Sequence, residues 1–222
     1  MEQEVKLIVI AGAFNPVTTA HVRLGELAQK QFAKAQIVFV PAADSFLASW
    51  KQFDEKDRFS ASERIHMLHL GLEGTAFSIS TCETDGKVSG KTYDTLTYLA
   101  AQYGIDRSHV FLMCGSDKLK ELAHWYQAER MLQQFRLLAV RRNDERIEEL
   151  VRTNAFLRLH QDHIVLLENG EPYQAISSTK IRQALHAGKL EQVCSMLPKG
   201  VYEYLLRKTD QNRPSERKGT AC

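Results

Sequence analysis

The sequence predicts an α/β fold, a doubly wound parallel sheet with helices on both faces. Two observations carry this. Apolar runs rich in β-branched residues alternate with helical patterns along the chain, as βαβ units require. Several of those runs are apolar throughout, as expected of strands covered on both sides.

The strands fall at 5-VKLIVIA-11, 36-QIVFVP-41, 76-AFSIS-80, 109-HVFLMC-114, 136-RLLAVR-141 and 163-HIVLL-167. The helical patterns between and after them cover 19–34, 61–73, 93–103, 127–135, 144–153, 178–187 and 198–208. No internal repeat and no Gly-, Pro- or Ser-rich linker interrupts the series. Residues 1–208 therefore read as one domain. The tail 209-TDQNRPSERKGTAC-222 is polar and Pro-interrupted, and is expected to be disordered.

Composition excludes several classes. The chain has 222 residues, 44% hydrophobic and 25% charged, with a formal net charge of +2. That is enough to bury a full core. The near-neutral balance points to neither nucleic acid nor a membrane surface. No apolar run approaches the roughly 18 residues that span a bilayer. The start, MEQEVK, does not read as a signal peptide. Cys82, Cys114, Cys194 and Cys222 form no CxxC and read as reduced thiols, so a cytoplasmic location is expected.

In such a sheet, ligands sit outside the carboxyl ends of the strands. The stretch 10-IAGAFNPVTTAHVRLGELA-28 lies at the end of the first strand. Gly12 allows close backbone approach. The N–H groups of Gly12, Ala13 and Phe14 can cradle phosphate oxygens. The following helix N-terminus favours an anion, with Thr18 or Thr19 as its cap. His21 falls in the first helical turn. Read alone, the stretch is equally a capped βα turn with a surface histidine. A second anion site is suggested by 176-ISSTKIRQAL-185, with hydroxyls at a helix start and Arg182 one turn in. A third element, 114-CGSDKL-119, places an Asp able to hold a ribose hydroxyl at another strand end.

Together these stretches resemble the nucleotidyltransferase superfamily with (H/T)xxH and ISSTxIR motifs. More narrowly, they resemble the nicotinamide/nicotinate mononucleotide adenylyltransferases. The resemblance extends through 125-WYQAERML-132, 139-AVRRND-144 and 197-LPKGVYEYL-205. It implies a Rossmann-like fold, and adenylyl transfer from ATP to nicotinamide or nicotinate mononucleotide, yielding NAD or deamido-NAD and pyrophosphate. It implies Mg²⁺ held mainly by the ATP phosphates, with no metal ligands named on the chain. It implies catalytic roles for His21 and Arg182. ATP and phosphate binding would fall to Gly12, Ala13, Phe14, Thr18, His21, Ser177, Ser178, Thr179 and Arg182. The mononucleotide would be met by Asn15, Lys51, Thr92, Gly115, Asp117 and Trp125, the last stacking on the pyridine ring. The Thr-first motif is most similar to members that accept the amide, often with the acid as well. The segment 92-TYDTL-96 is shorter between Tyr and Asp than its family counterpart.

Other readings remain at this level. They are a transferase of the same superfamily with another phosphate acceptor, or a non-catalytic nucleotide-binding regulator. A homo-oligomer is left open. The run 86-GKVSGKT-92 falls short of Walker A spacing and reads as a charged turn. His66 and His69 have metal-like spacing without companion ligands and read as surface or half-buried residues. The run 141-RRNDERIEEL-150 reads as a solvated helix start.

Overall fold

Strand β1 (Leu7–Gly12) lies inside a six-stranded parallel sheet of order β3-β2-β1-β4-β5-β6. The computed structural model describes residues 4–49, 57–141, 147–167 and 176–212. The other strands are β2 (Gln36–Pro41), β3 (Ser78–Ile79), β4 (Val110–Gly115), β5 (Arg136–Val140) and β6 (Ile164–Leu167), and β1 pairs with β2 and β4. The chain leaves β1 toward β2 and β3, then crosses back to place β4 on the other side. The carboxyl ends of β1 and β4 therefore flank the topological switch point, where loops diverge and leave a crevice.

Alternate residues of each strand serve opposite faces, which is why the runs are apolar throughout. Ile8 and Ile10 join one core with Met67 and Leu68 of α3 (Ala61–Gly71), Ile181 of α8 (Ser178–His186), and Val201 and Leu205 of α9 (Lys199–Asn212). Ala28 of α1 (Thr19–Gln31) belongs to the same core. Leu7 and Val9 join the other, with Leu96 and Leu99 of α4 (Thr92–Tyr103), Met131 and Leu132 of α5 (Ala128–Gln134), and Ile147 of α6 (Ile147–Thr153). Helix α1 approaches so closely that a Cβ on Gly25 would lie 2.6 Å from the Phe77 ring, so only glycine fits there without a shift.

The long predicted elements appear near their predicted bounds. β3 is trimmed to Ser78–Ile79 because it is an edge strand that pairs only with Val38 and Phe39. The short helices α2 (Asp44–Ser49) and α7 (Ala155–Leu159) and the 3₁₀ segments Ser116–His124 and Leu190–Met196 were not expected. At these lengths intrinsic helix formation is unfavourable, and packing supplies the stability. Helix α9 continues four residues past its expected end at 208, through Asn212, because no Pro intervenes before 214 and the Thr209 hydroxyl donates back to the Leu205 and Leu206 carbonyls. The rest of the expected tail, 213–222, lies outside the described residues, as do Lys51 and Trp50.

Candidate active site at the switch point

A cavity of about 120 Å³ opens at the carboxyl end of the sheet. It is lined by Thr18, His21, Leu24, Gly115, Val140, Arg141, Ile176 and Ser178, among others. These residues come from four connections, after β1, β4, β5 and β6. The three sequence stretches that suggested anion or ribose binding thus converge on one crevice.

Thr18 caps α1. Its side chain accepts from the His21 N–H, and the Thr18 N–H donates to His21 Nδ1 at 3.0 Å, closing a capping box. In most capping boxes a carboxylate or amide does this work. Here an imidazole does, and the bond decides its tautomer. Nδ1 acts as acceptor, so the neutral ring carries its proton on Nε2. Phe14 packs edge-on against the same ring, centroids 5.0 Å apart. Both contacts hold His21 in one orientation at the helix N-terminus.

The loop between β1 and α1 is tightly built. Phe14 sits at φ 48°, in the left-handed region that costs a bulky residue energy. Asn15 is 1% exposed. Its Nδ2 donates to the Asp57 carbonyl and its Oδ1 accepts from Phe59 N–H, both at 2.8 Å. The Asn15 amide thus ties the loop to residues 57–59. Arg64, which the sequence did not single out, is fully buried. It donates to the carbonyls of Ala13 (2.9 Å), Ala42 (2.8 Å) and Phe59 (3.3 Å), and to Asp44 Oδ1 (2.7 Å).

The second anion element docks directly on the first. Ser177 caps α8, accepting from Thr179 N–H at 3.2 Å. Ser178 lines the cavity, but its one hydroxyl proton goes to the Pro16 carbonyl at 2.9 Å. The hydroxyl of Ser178, expected to donate to phosphate, is thereby a strut between the two loops. Arg182 is 8% exposed, with Nη1 on the Asn15 carbonyl (2.8 Å) and Nη2 on Thr179 Oγ1 (3.3 Å). Burial pushes its pKa down and the nearby Asp57 opposes that shift. Arginine nonetheless stays charged throughout the accessible range.

The remaining predicted residues take distinct places. Gly115 ends β4 and lines the cavity; Asp117 follows it in the 3₁₀ segment, 3.8 Å from Lys118 Nζ. Trp125 is half-buried and packs against the core on the α4–α5 face, outside the cavity lining. Thr92 is the first residue of α4, while its neighbour Tyr93 is core, donating to Gln134 Oε1. Cys114, beside Gly115, has its thiol pushed up to about 12 by burial, so it is no nucleophile at neutral pH. Arg141 is the functional candidate that sequence reasoning missed. It was taken as part of a solvated helix start, yet it borders the cavity and pairs with Glu148 at 3.1 Å. Its place just past the carboxyl end of β5 was the available signal.

The other motifs resolve simply. Residues 86–91 form an irregular turn before α4, with Lys87 paired to Asp85 at 2.9 Å and Gly86 and Gly90 at positive φ. The ring of His66 packs on Tyr204. Among the described residues, no group of three or more His, Cys, Asp or Glu could hold a metal, and no helix is long and apolar enough to cross a membrane.

This geometry has known counterparts. Two structures of the Plasmodium falciparum nicotinic acid mononucleotide adenylyltransferase superpose over 94% of this chain and 99% of theirs, at 14% identity. The one complexed with APC gives a TM-score of 0.69, the one complexed with NaAD 0.67. They share the fold. By sequence, the chain is 26% identical over 223 residues to a protein of Thermoanaerobacter sp. (strain X514), covering 99% of this chain and 100% of that one. It is 29% identical over 207 residues to a protein of Caldicellulosiruptor saccharolyticus, covering 91% and 97%. Both carry the name "Probable nicotinate-nucleotide adenylyltransferase". The cytidylyltransferase-like family model matches residues 9–184, from within β1 through Arg182, taking in every element that lines the crevice, and the chain belongs to that family.

Proposed function

We propose that the protein transfers the adenylyl group of ATP to nicotinate mononucleotide, with nicotinamide mononucleotide as a second acceptor. The products are deamido-NAD or NAD, and pyrophosphate. The observation that carries the reading is the single cavity bordered by Thr18, His21, Gly115, Arg141 and Ser178. It puts two helix N-termini and cationic side chains where a triphosphate would lie, beside the end of β4 where a ribose would lie. The sequence relatives support the acceptor through their names.

The reaction needs no covalent intermediate. An oxygen of the acceptor's phosphate attacks the α-phosphorus in line. The bond from that phosphorus to the bridging oxygen breaks, and pyrophosphate leaves with the electron pair. Catalysis is then positioning and charge stabilisation. His21 donates Nε2–H to an α-phosphate oxygen. The N-termini of α1 and α8 hold the chain of phosphates, and Arg182, behind α8, holds that helix and the phosphate loop in register while adding positive potential. Arg141 exchanges Glu148 for phosphate. Gly115 and Asp117 bound the ribose, Trp125 the pyridine ring. Mg²⁺ would enter with the ATP phosphates and supply neutralisation of their charge, and no residue of the chain is named as its ligand. Lys51, also expected at the acceptor phosphate, stays a proposal from sequence alone.

One assay tests the reading: purified protein, ATP, Mg²⁺ and each mononucleotide in turn, scoring dinucleotide. Both acceptors are expected to react, with kcat/KM values within about tenfold, or about 1.4 kcal/mol in transition-state binding. No dinucleotide from either, with pyrophosphate released onto another acceptor, overturns the substrate class. A preference above about a thousandfold overturns dual use alone.

A further inference from the structure

We propose that Arg64 is a positioning residue for the reaction: its buried guanidinium sets the orientation of the Ala13–Phe14 peptide, so that the Phe14 N–H faces the ATP phosphates. The inference rests on the adenylyl-transfer reading and deepens it.

Arg64 stands one turn into α3, behind the loop rather than in the cavity. Each of its nitrogens is used. Nε holds the Phe59 carbonyl, Nη1 the Ala13 carbonyl, and Nη2 both the Ala42 carbonyl and Asp44 Oδ1. One planar group thus joins the phosphate loop, the residue after β2, the start of α2 and the residue before the cap of α3. The Asn15 amide adds an independent tie from the same loop to Asp57 and Phe59.

The consequence follows from peptide geometry. The Ala13–Phe14 bond is trans. In a trans peptide the C=O and N–H point in opposite directions. Arg64 draws the Ala13 oxygen inward to the protein, so the N–H of the same unit is turned outward, on the side of the switch point. The residue that carries this N–H has φ 48°, a conformation that persists only where its surroundings enforce it. One carbonyl tie from Arg64 and two amide ties from Asn15 to the approach of α3 provide that enforcement. A lysine cannot reproduce it, because an ammonium is a point donor and the fork is what spans four acceptors.

The charge of the guanidinium has acidic neighbours. Asp44 is its one acidic hydrogen-bond partner among the described residues, and that carboxylate is half-exposed and partly screened by water. Glu83 is a second carboxyl within electrostatic reach of the guanidinium, so what Arg64 gives the loop is position and not net positive charge.

The test begins with wild-type protein labelled with ¹⁵N. Adding ATP should shift the Phe14 amide resonance strongly; no shift overturns the proposal outright. If Phe14 shifts but neither mononucleotide yields dinucleotide, the acceptor reading fails while the positioning role stands. Arg64→Lys is then compared with Gly25→Ala, which overpacks α1 against Phe77, each assayed well below its own Tm. Arg64→Lys should lower kcat/KM for ATP by roughly thirtyfold or more, with part of the loss in kcat, while Gly25→Ala stays within about threefold of wild type. The ATP-induced Phe14 shift should vanish in Arg64→Lys. A folded Arg64→Lys within about threefold of wild type, or one that keeps the Phe14 shift, overturns the assignment. Should Arg64→Lys not fold, the wild-type Phe14 resonance decides alone.

Discussion

The backbone N–H of Thr18 donates to Nδ1 of His21 at 3.0 Å, and that one bond decides what the imidazole can offer a substrate. With Nδ1 occupied as acceptor, the neutral ring presents Nε2–H. On the proposed reaction, that proton is the one offered to developing negative charge.

Removing that donor should be costly. His21→Ala is expected to lower kcat by about 10² or more, the scale of losing one charge-stabilising donor. His21→Gln should fall between Ala and wild type, since a capping-box Gln accepts from Thr18 and keeps a donor on the same arm. Stability should drop by about 0.5–1 kcal/mol in His21→Ala, as half of the capping box is lost. Steady-state kinetics beside urea unfolding checks both; turnover of His21→Ala near the wild-type rate removes the residue from the site.

Arg182 joins the loop after β1 to the first turn of α8. Arg182→Lys should be nearly as damaging to kcat/KM as Arg182→Ala, because one ammonium cannot bond both the Asn15 carbonyl and Thr179 Oγ1. Full rate with lysine would reduce the role to diffuse charge.

Glu83 gives a pH signature. The carboxyl is buried, and burial raises its pKa above the ordinary 4.5, partly offset by the Thr95 hydroxyl at 2.7 Å. The folded pKa exceeds the unfolded one, so the stabilising effect of protonation is complete below the unfolded pKa. It is lost as pH rises through the folded pKa. Glu83→Gln should therefore gain stability relative to wild type between acid and neutral pH. Urea unfolding of both proteins across that range is the measurement; a constant difference would show that Glu83 is not penalised by burial.

Packing at α1 makes the fourth prediction. Gly25→Ala places a methyl 2.6 Å from the Phe77 ring. The expected cost of about 1–3 kcal/mol from overpacking outweighs the gain of about 1 kcal/mol in helix propensity. Adding Phe77→Leu should recover part of it. Equal Tm for Gly25→Ala and wild type would mean that the ring yields freely.

Much of the site could be read in one dimension because its groups are local. A strand end, a capping hydroxyl and a first-turn His occupy adjacent positions, as do the Ser-Ser-Thr and Arg182 at the start of α8. Arg141 and Arg64 were missed for opposite reasons. Arg141 sits in a charged run whose neighbours are solvent-facing, so composition hid a residue that topology puts beside the cavity. Arg64 acts on carbonyls from three other segments, and backbone oxygens leave no mark in side-chain identity. The ties of Asn15 were hidden on the same ground: its partners, Asp57 O and Phe59 N–H, are main-chain groups 42 and 44 residues away.

The sequence by itself determined the α/β class, the six strands and the stretches that line the cavity, because hydrophobic period and helix capping act between near neighbours. Tertiary structure alone decided the strand order, the union of three stretches in one cavity and the division of labour among their side chains. Ser178 became a strut because the start of α8 and the loop after β1 touch only after β1 and β6 have taken their places in the sheet, and Asn15 because residues 57–59 fold back onto that same loop. A hydrogen-bond donor has one proton to give, and which acceptor receives it is settled by distance in space.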